Sequence, residues 1–358
     1  MRALLVLLAA LILALALTAS AGTPKTVTTG VAGSVDGIAV DGGLVAIASR
    51  YESGDTVCDR VGVWNPAKGT SVRLAGKDGG CRKADAGPDD GVVGLGFADG
   101  RAVWAEYYYG NHAYCNDVWT ATVSKPTPTA VGAAPCTGAF DGTTGESFAY
   151  GGSGSFLAVL SFTYCDVVEC QDESGSDLPA GGYDVELWRL SGTKLTKLKA
   201  LADRTVLLDA STTRVVIRAA TGAVSVLDTK GAAKAVLAFG KSEALAARLA
   251  GSRLVVHVAK ALRVVEPSSG AIVRTFAVPA GAALAGATPT LAAYVSADVV
   301  HVVRLSDGRD RTVGSAKGLI VARLTSAGLA YAWNVPGGGA KPGRVAWVTA
   351  AELGRALG

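Results

Sequence analysis

The chain has 358 residues, a net charge of +4 from 34 basic and 30 acidic side chains, and 49% apolar residues. Disorder would need lower hydrophobicity, and the basic residues are scattered singly rather than striped with aromatics, which argues against nucleic acid as a partner. Forty-six glycines and few aromatics indicate a turn-rich β protein.

The chain opens MRALLVLLAALILALALTASAG: a basic start at Arg2, an apolar run from Ala3 to Leu17, then Ala19-Ser20-Ala21 before Gly22. That order predicts a secretory signal over residues 1–21, cleaved before Gly22. The alternative is an uncleaved anchor, but an apolar run of 15 residues falls short of the ~20 that span a bilayer. No later stretch is apolar and long enough to span, so the mature protein is expected to be secreted, periplasmic or extracellular, with no membrane span. PKTVTTG (24–30) reads as an isolated strand, comparable to KAVLAFG (234–240).

From there the sequence repeats. VGVWNPAKG (61–69), AVSVLDTKG (223–231), LRVVEPSSG (262–270) and VHVVRLSDG (300–308) each alternate, then turn at a polar residue and end in Gly. DVWTATVSK (117–125), VELWRLSG (185–192) and RVAWVTAA (344–351) fit the same column less completely. One position in it is always large and apolar: Trp64, Trp119, Trp188, Leu227, Val265, Val303 and Trp347. Upstream of each lie two apolar strands, such as GIAV and LVAIAS, and a fourth follows the turn, as in TSVRLAG. Period-two alternation marks half-buried strands. Later members of the column are spaced by 39, 38 and 38 residues. Four antiparallel strands recurring seven times at about 40 residues predict an all-β fold, a seven-bladed β-propeller over residues 22–348. The tail TAAELGRALG (349–358) does not read as a fourth strand, so the N-terminal strand is expected to complete the last blade and cover both open edges. The column tryptophans are expected to be largely buried between blades rather than to form a carbohydrate platform.

Units such as VLDTKG and VVEPSSGAIVRTF resemble the repeats of the secreted bacterial propellers grouped as PQQ-like, YVTN-type or TolB-like, over nearly the whole mature chain. The pattern differs from WD40 repeats, because no Gly-His and Trp-Asp pairs recur, and the turn glycine lacks the regular following Trp of quinoprotein dehydrogenases. The resemblance implies a fold, and a fold does not fix a function.

Spacings of 55 and 69 residues between the first column members reveal insertions in blades one to three. The connection between second and third strands is long there, in YESGDTVCD, YYYGNHAYCN and TYCDVVECQDESGSDLPAGGY, whereas blades four to six are read with two-residue hairpins such as Thr221-Gly222 and Ala297-Asp298. All six cysteines fall in this part of the chain. Cys58, Cys115, Cys165 and Cys170 lie in the long connections, and Cys81 and Cys136 follow the fourth strands of blades one and two. Both kinds of connection emerge on one face of a propeller. An exported chain with an even cysteine count is expected to pair them. The economical pairing among fifteen is Cys58–Cys81, Cys115–Cys136 and Cys165–Cys170. Zinc is disfavoured, since no C-x-x-C pair is present and the chain has three histidines.

The same loops gather Tyr51, Tyr107, Tyr109, His112, Tyr114, Tyr164, Asp166, Glu169 and Asp172. Tyrosine on loops mounted on a rigid scaffold suits the gripping of a partner; solvated loops are the plainer alternative. DVVECQDESGSD offers carboxylates for Ca²⁺ but no glycine-anchored loop, so no metal or cofactor is assigned. His257 and His301 lie in apolar strands, and no nucleophile elbow accompanies any histidine, so no catalytic residue is assigned. NVPGGGAKPG (334–343) reads as an insertion on the decorated face rather than a phosphate loop. The sequence therefore points to an exported module that binds a protein or glycan through disulfide-stapled loops of blades one to three. The alternatives are a hydrolase or lactonase with His and Asp, Glu or Asn around the central channel, and a purely structural surface protein.

Overall fold

The computed structural model describes residues 24–53, 56–75, 81–83, 91–110, 113–131, 144–165, 170–171, 177–178, 183–239, 244–336 and 342–358. Blade 1 follows an isolated β1 (Val27–Val31) and comprises β2 (Ser34–Asp41), β3 (Leu44–Ser53), β4 (Thr56–Asn65) and β5 (Thr70–Ala75). A short β6 (Cys81–Lys83) turns back to pair with β4. Blade 2 is β7 (Gly91–Ala98), β8 (Arg101–Gly110), β9 (Ala113–Thr122) and β10 (Thr129–Ala130). Blade 3 is β11 (Thr144–Ser153), β12 (Phe156–Cys165), β15 (Tyr183–Ser191) and β16 (Lys194–Leu201), with a hairpin of β13 (Cys170–Gln171) and β14 (Asp177–Leu178) between its middle strands. Blade 4 is β17 (Val206–Ala210), β18 (Arg214–Arg218), β19 (Val224–Asp228) and β20 (Ala233–Leu237). Blade 5 is β21 (Ala244–Ala250), β22 (Arg253–Val258), β23 (Ala261–Val265) and β24 (Ile272–Ala277). Blade 6 is β25 (Ala283–Ala287), β26 (Leu291–Ser296), β27 (Val299–Arg304) and β28 (Asp310–Ser315). Blade 7 is β29 (Leu319–Thr325), β30 (Gly328–Asn334) and β31 (Gly343–Thr349), completed by β1.

The chain is thus a seven-bladed β-propeller of four-stranded antiparallel blades. Its core is divided among the seven blade interfaces, because a strand inside a blade has a neighbour on each face. Val45 and Ile47 of β3 pack against blade 7, while Ala46 between them packs against blade 2. Equivalent apolar clusters fill the other five interfaces. The repeat column supplies their wide surfaces. Trp64 and Trp347 are buried, as are Leu227, Val265 and Val303. Trp119 and Trp188 are half-buried rather than largely buried, and the Trp188 indole N–H reaches Ser161 Oγ at 2.9 Å. None of the four lies exposed, in keeping with their place between blades.

Polar side chains bolt adjacent blades together where inner-strand backbone groups would otherwise lack partners. Asp41 of blade 1 accepts the Asp99 N–H of blade 2 (2.7 Å) and the Gly154 N–H of blade 3 (3.1 Å). Asn334 of blade 7 accepts the Val35 N–H (2.7 Å) and donates to the Val35 carbonyl (3.2 Å). β1 pairs with β31 from Val27 opposite Trp347 to Val31 opposite Gly343, which closes the ring.

The tail forms no fourth strand and instead folds as a helix, α1 (Ala350–Leu357). Thr349 caps it by accepting the Glu352 N–H, and Leu353, Ala356 and Leu357 pack on blades 6 and 7. Blade 4 has a five-residue connection at 219–223 rather than a two-residue hairpin at Thr221-Gly222. Ala219 and Ala223 bond outside the ladder, and Arg218 is drawn across to the Ala244 carbonyl of blade 5.

Candidate functional site

The two faces of the ring differ in height. Counted from the column, the ladder between second and third strands runs from Val45–Trp64 to Ser53–Thr56 in blade 1, nine pairs. In blade 2 it runs from Trp104–Trp119 to Gly110–Ala113, seven pairs, and in blade 3 from Val159–Trp188 to Tyr164–Tyr183, six pairs. Blade 4 has four such pairs and blades 5, 6 and 7 have five each. Four extra pairs raise the blade 1 hairpin by roughly 13 Å at about 3.3 Å per residue. The hairpins of three consecutive blades therefore form an arc along one side of a single face. Blade 3 adds the β13–β14 hairpin to it.

On this arc, Tyr51 is half-buried, opposite Cys58 in register, and the Arg60 guanidinium lies over its ring at 4.9 Å. Arg50 pairs with the buried Asp59 at 3.5 Å. Tyr51 is therefore a braced ring rather than a free one. The backbone places Tyr109 opposite Tyr114, Tyr107 opposite Asn116, and Tyr164 opposite Tyr183, all on the raised hairpins of blades 2 and 3. His112, Asp166, Glu169 and Asp172 lie outside the described residues, as does Cys136. Cys58 is buried and is not a free thiol. It stands directly opposite Cys81, because β6 returns to the tip of β4. Cys115 lies opposite Tyr108, Cys165 ends β12, and Cys170 begins β13.

The central channel is a cavity of about 520 Å³ lined by the inner strands of all seven blades. Its lining reaches Gly42, Gly251, Pro289 and Ser326, in the turns between first and second strands, on the face opposite the raised hairpins. No histidine is among its described lining residues. His257 is buried in β22, where desolvation holds its imidazole below the usual range and a hydrogen bond to the Ala259 backbone opposes this. His301 stacks on Tyr294 with ring centroids 4.6 Å apart and lies 3.4 Å from Asp310. The His and carboxylate ring expected of a channel hydrolase is thus absent among the described residues. They also contain no group of three His, Cys, Asp or Glu arranged to hold a metal.

Five charged residues line the channel, Asp41, Asp209, Arg214, Arg248 and Arg323, and Asp209, Arg248 and Arg323 lie within its inner strands. Asp209 bridges blades, its Oδ2 accepting the Leu249 N–H (2.7 Å) and its Oδ1 the Ala210 N–H (3.0 Å). Burial pushes its carboxyl above the usual range, opposed first by Arg248 and then by these backbone bonds. The signal for these residues is a lone charge inside a short apolar first strand, in LLDA, AARLA and VARLT.

No protein-family model and no curated protein matches the sequence. Its backbone is similar to that of the Pyrococcus horikoshii acylaminoacyl peptidase, with a TM-score of 0.54 and 11% identity, over 84% of this chain and 49% of that one. It is also similar to the β-propeller domain of the Trilobed protease from Pyrococcus furiosus, with a TM-score of 0.53 and 7% identity, over 89% of this chain and 94% of that domain. That domain is described as having an open velcro topology, whereas here β1 closes the ring. BamB from Moraxella catarrhalis aligns over 90% of this chain at 14% identity, with a TM-score of 0.46. The chain spans about half the length of the acylaminoacyl peptidases it matches. At these identities the likeness is one of fold: the chain shares the architecture of the Trilobed protease β-propeller domain.

Proposed function

We propose that this propeller is an exported binding module that engages a protein or glycan partner through the raised hairpins of blades 1 to 3. The observation that carries this reading is the arc itself, three neighbouring blades whose ladders are lengthened on one face while those of blades 4 to 7 keep four or five pairs. A repeat fold gains nothing in closure from such asymmetry, and loops held above a rigid scaffold are where binding is commonly placed. Tyrosines concentrate on the lengthened strands, and tyrosine offers wide contact area at low cost in side-chain entropy. Among the described residues no helix is long and apolar enough to cross a membrane.

The proposal includes export with cleavage near Gly22 and three local disulfides. Cys58–Cys81 has the best support, since directly opposed residues on antiparallel strands place their Cα atoms about 4.5–5.5 Å apart, a span a disulfide bridges. Each bridge would stabilise a long hairpin by roughly 2–4 kcal/mol, mainly by restricting the unfolded chain. Thiol titration of the denatured, non-reduced protein should read zero.

The test of function is a variant in which residues 166–179 are replaced by a two-residue turn and the blade 1 hairpin is cut back to the height of blade 5. Folding should survive, because blades 4 to 6 stand without such extensions. Capture and cross-linking of a defined partner, or retention on a glycan array, should be lost. Unchanged binding by the trimmed protein would move the function to another surface.

A further inference from the structure

Arg248 and Arg323 occupy the same place in two repeats. Each is the third residue after the bulge of its inner strand, within a shared Ala-Arg-Leu triplet at 247–249 and 322–324. The matching position is Ala39 in blade 1, Gly96 in blade 2, Ser211 in blade 4 and Thr288 in blade 6, so the two arginines are the long side chains at this level of the channel. Blade 6, between the two arginine-bearing blades, brings only small or short side chains to the lining, from Ala285, Gly286, Ala287, Thr288 and Pro289.

Both guanidiniums are under-used. Arg248 Nη1 donates to the Leu208 carbonyl and to the Ala247 carbonyl (3.1 Å), and Arg323 Nη1 donates to the Ala322 carbonyl (3.0 Å). No described residue accepts a hydrogen bond from Nε or Nη2 of either. Asp41 and Asp209 are the acids of the same cavity, but the oxygens of Asp41 are engaged by the Asp99 and Gly154 N–H groups and those of Asp209 by the Leu249 and Ala210 N–H groups, and neither forms an ion pair with Arg248 or Arg323. With Arg214 also in the lining, three cations stand against two carboxylates, so the channel keeps a net positive charge that an anion would neutralise. Desolvation, and then repulsion by Arg248, press Arg323 down to about 10, which still leaves it protonated at neutral pH.

We propose that the central channel binds a small oxyanion, a carboxylate or phosphate group, between Arg248 and Arg323. A planar guanidinium offers paired N–H donors that match the oxygens of such a group, and two of them relieve their mutual repulsion by sharing it. The site lies toward the face opposite the raised hairpins, so it does not depend on the partner-binding reading.

The experiment is calorimetric titration of the intact folded protein, in low-chloride buffer, with inorganic phosphate and separately with succinate. Saturable binding with one site per chain is expected for at least one probe, and the tighter one tells phosphate from carboxylate as the natural group. Arg323→Met should weaken it at least tenfold, and Arg323→Lys, which keeps the charge but loses the fork, should fall between. Arg323 bonds only to its own neighbour's carbonyl, so Arg323→Met should fold; if it does not, a saturable rise in wild-type melting temperature with the better probe, competed by the other, supports the site. Trimming the blade 1 to 3 hairpins should leave anion binding intact. No saturable binding of either probe to the wild-type protein at millimolar concentration, or equal binding by Arg323→Met, overturns the proposal.

Discussion

His257 is nearly inaccessible in the second strand of blade 5, and its Nε2 has no hydrogen-bond partner. Its imidazole titrates below the ordinary value of 6.5 because burial disfavours the cation. The unfolded chain therefore takes up a proton first on acidification. Its contribution to stability is fully present above pH 6.5 and is lost as pH falls from there toward the lower folded value, with a slope of at most about 1.4 kcal/mol per pH unit. Urea melts from pH 8 to 5 should show the wild type losing stability relative to His257→Leu; parallel curves would mean that the site does not titrate differently on folding. Gly286 is constrained in another way. A Cβ there would stand 2.7 Å from the Leu324 carbonyl oxygen and 2.8 Å from its nitrogen, both backbone atoms of blade 7. Gly286→Ala should therefore push two blades apart and cost about 1–3 kcal/mol in urea denaturation. At this scale the sequence is only half legible. Trp64 and Trp347 announce their burial through their place in the repeat, but Arg323 inside LIVARL reads equally well as a strand end in water. Ring closure is what turns it inward, and a single strand carries no sign of that.

Elements were legible where the repeat was undisturbed. The column spacings of 38 and 39 residues fix the order of four strands in blades 4 to 6, down to the turn at Ala297-Asp298. Blade 2 is harder, because its fourth strand shrinks to Thr129–Ala130 and the Cys136 segment follows at once. α1 had a readable signature: Thr349-Ala-Ala-Glu352 is the capping-box pattern, and Leu353, Ala356 and Leu357 follow at helical spacing. A search for strands alone misses it. The other end of the helix is held by Arg309, which donates to the Leu357 carbonyl (2.5 Å) and the Gly358 carbonyl (2.8 Å), and by Arg304 (3.3 Å). Cations at a helix C-terminus also complement its dipole. Thr349→Ala should remove the N-terminal cap at a cost of about 0.5–2 kcal/mol. Because the helix covers only the blade 6 and 7 interface, faster amide exchange should appear first in α1 and β31. Uniform acceleration around the ring would show that the helix is coupled to the whole molecule.

At the scale of the whole ring, seven interfaces each hold a separate apolar cluster, so one weak joint is enough to open the circle. The joint between chain ends is the one made without covalent continuity inside a blade: β1 contributes the fourth strand of blade 7, and Val31 packs on the cluster between blades 7 and 1. Asn334 and the Gly33 carbonyl, which accepts the Gly343 N–H at 2.6 Å, add polar bonds at the same seam. Removing residues 24–31 leaves β31 as an unpaired edge, its N–H and C=O groups facing water and open to another chain. The truncated protein should keep its strand content, melt at a lower urea concentration and self-associate in size-exclusion chromatography. Adding the peptide PKTVTTGV in trans should restore the monomer and part of the lost stability, because that segment supplies the missing ladder from Val27 to Val31. A truncated monomer as stable as the intact chain would mean that the remaining interfaces hold the ring closed without the strand.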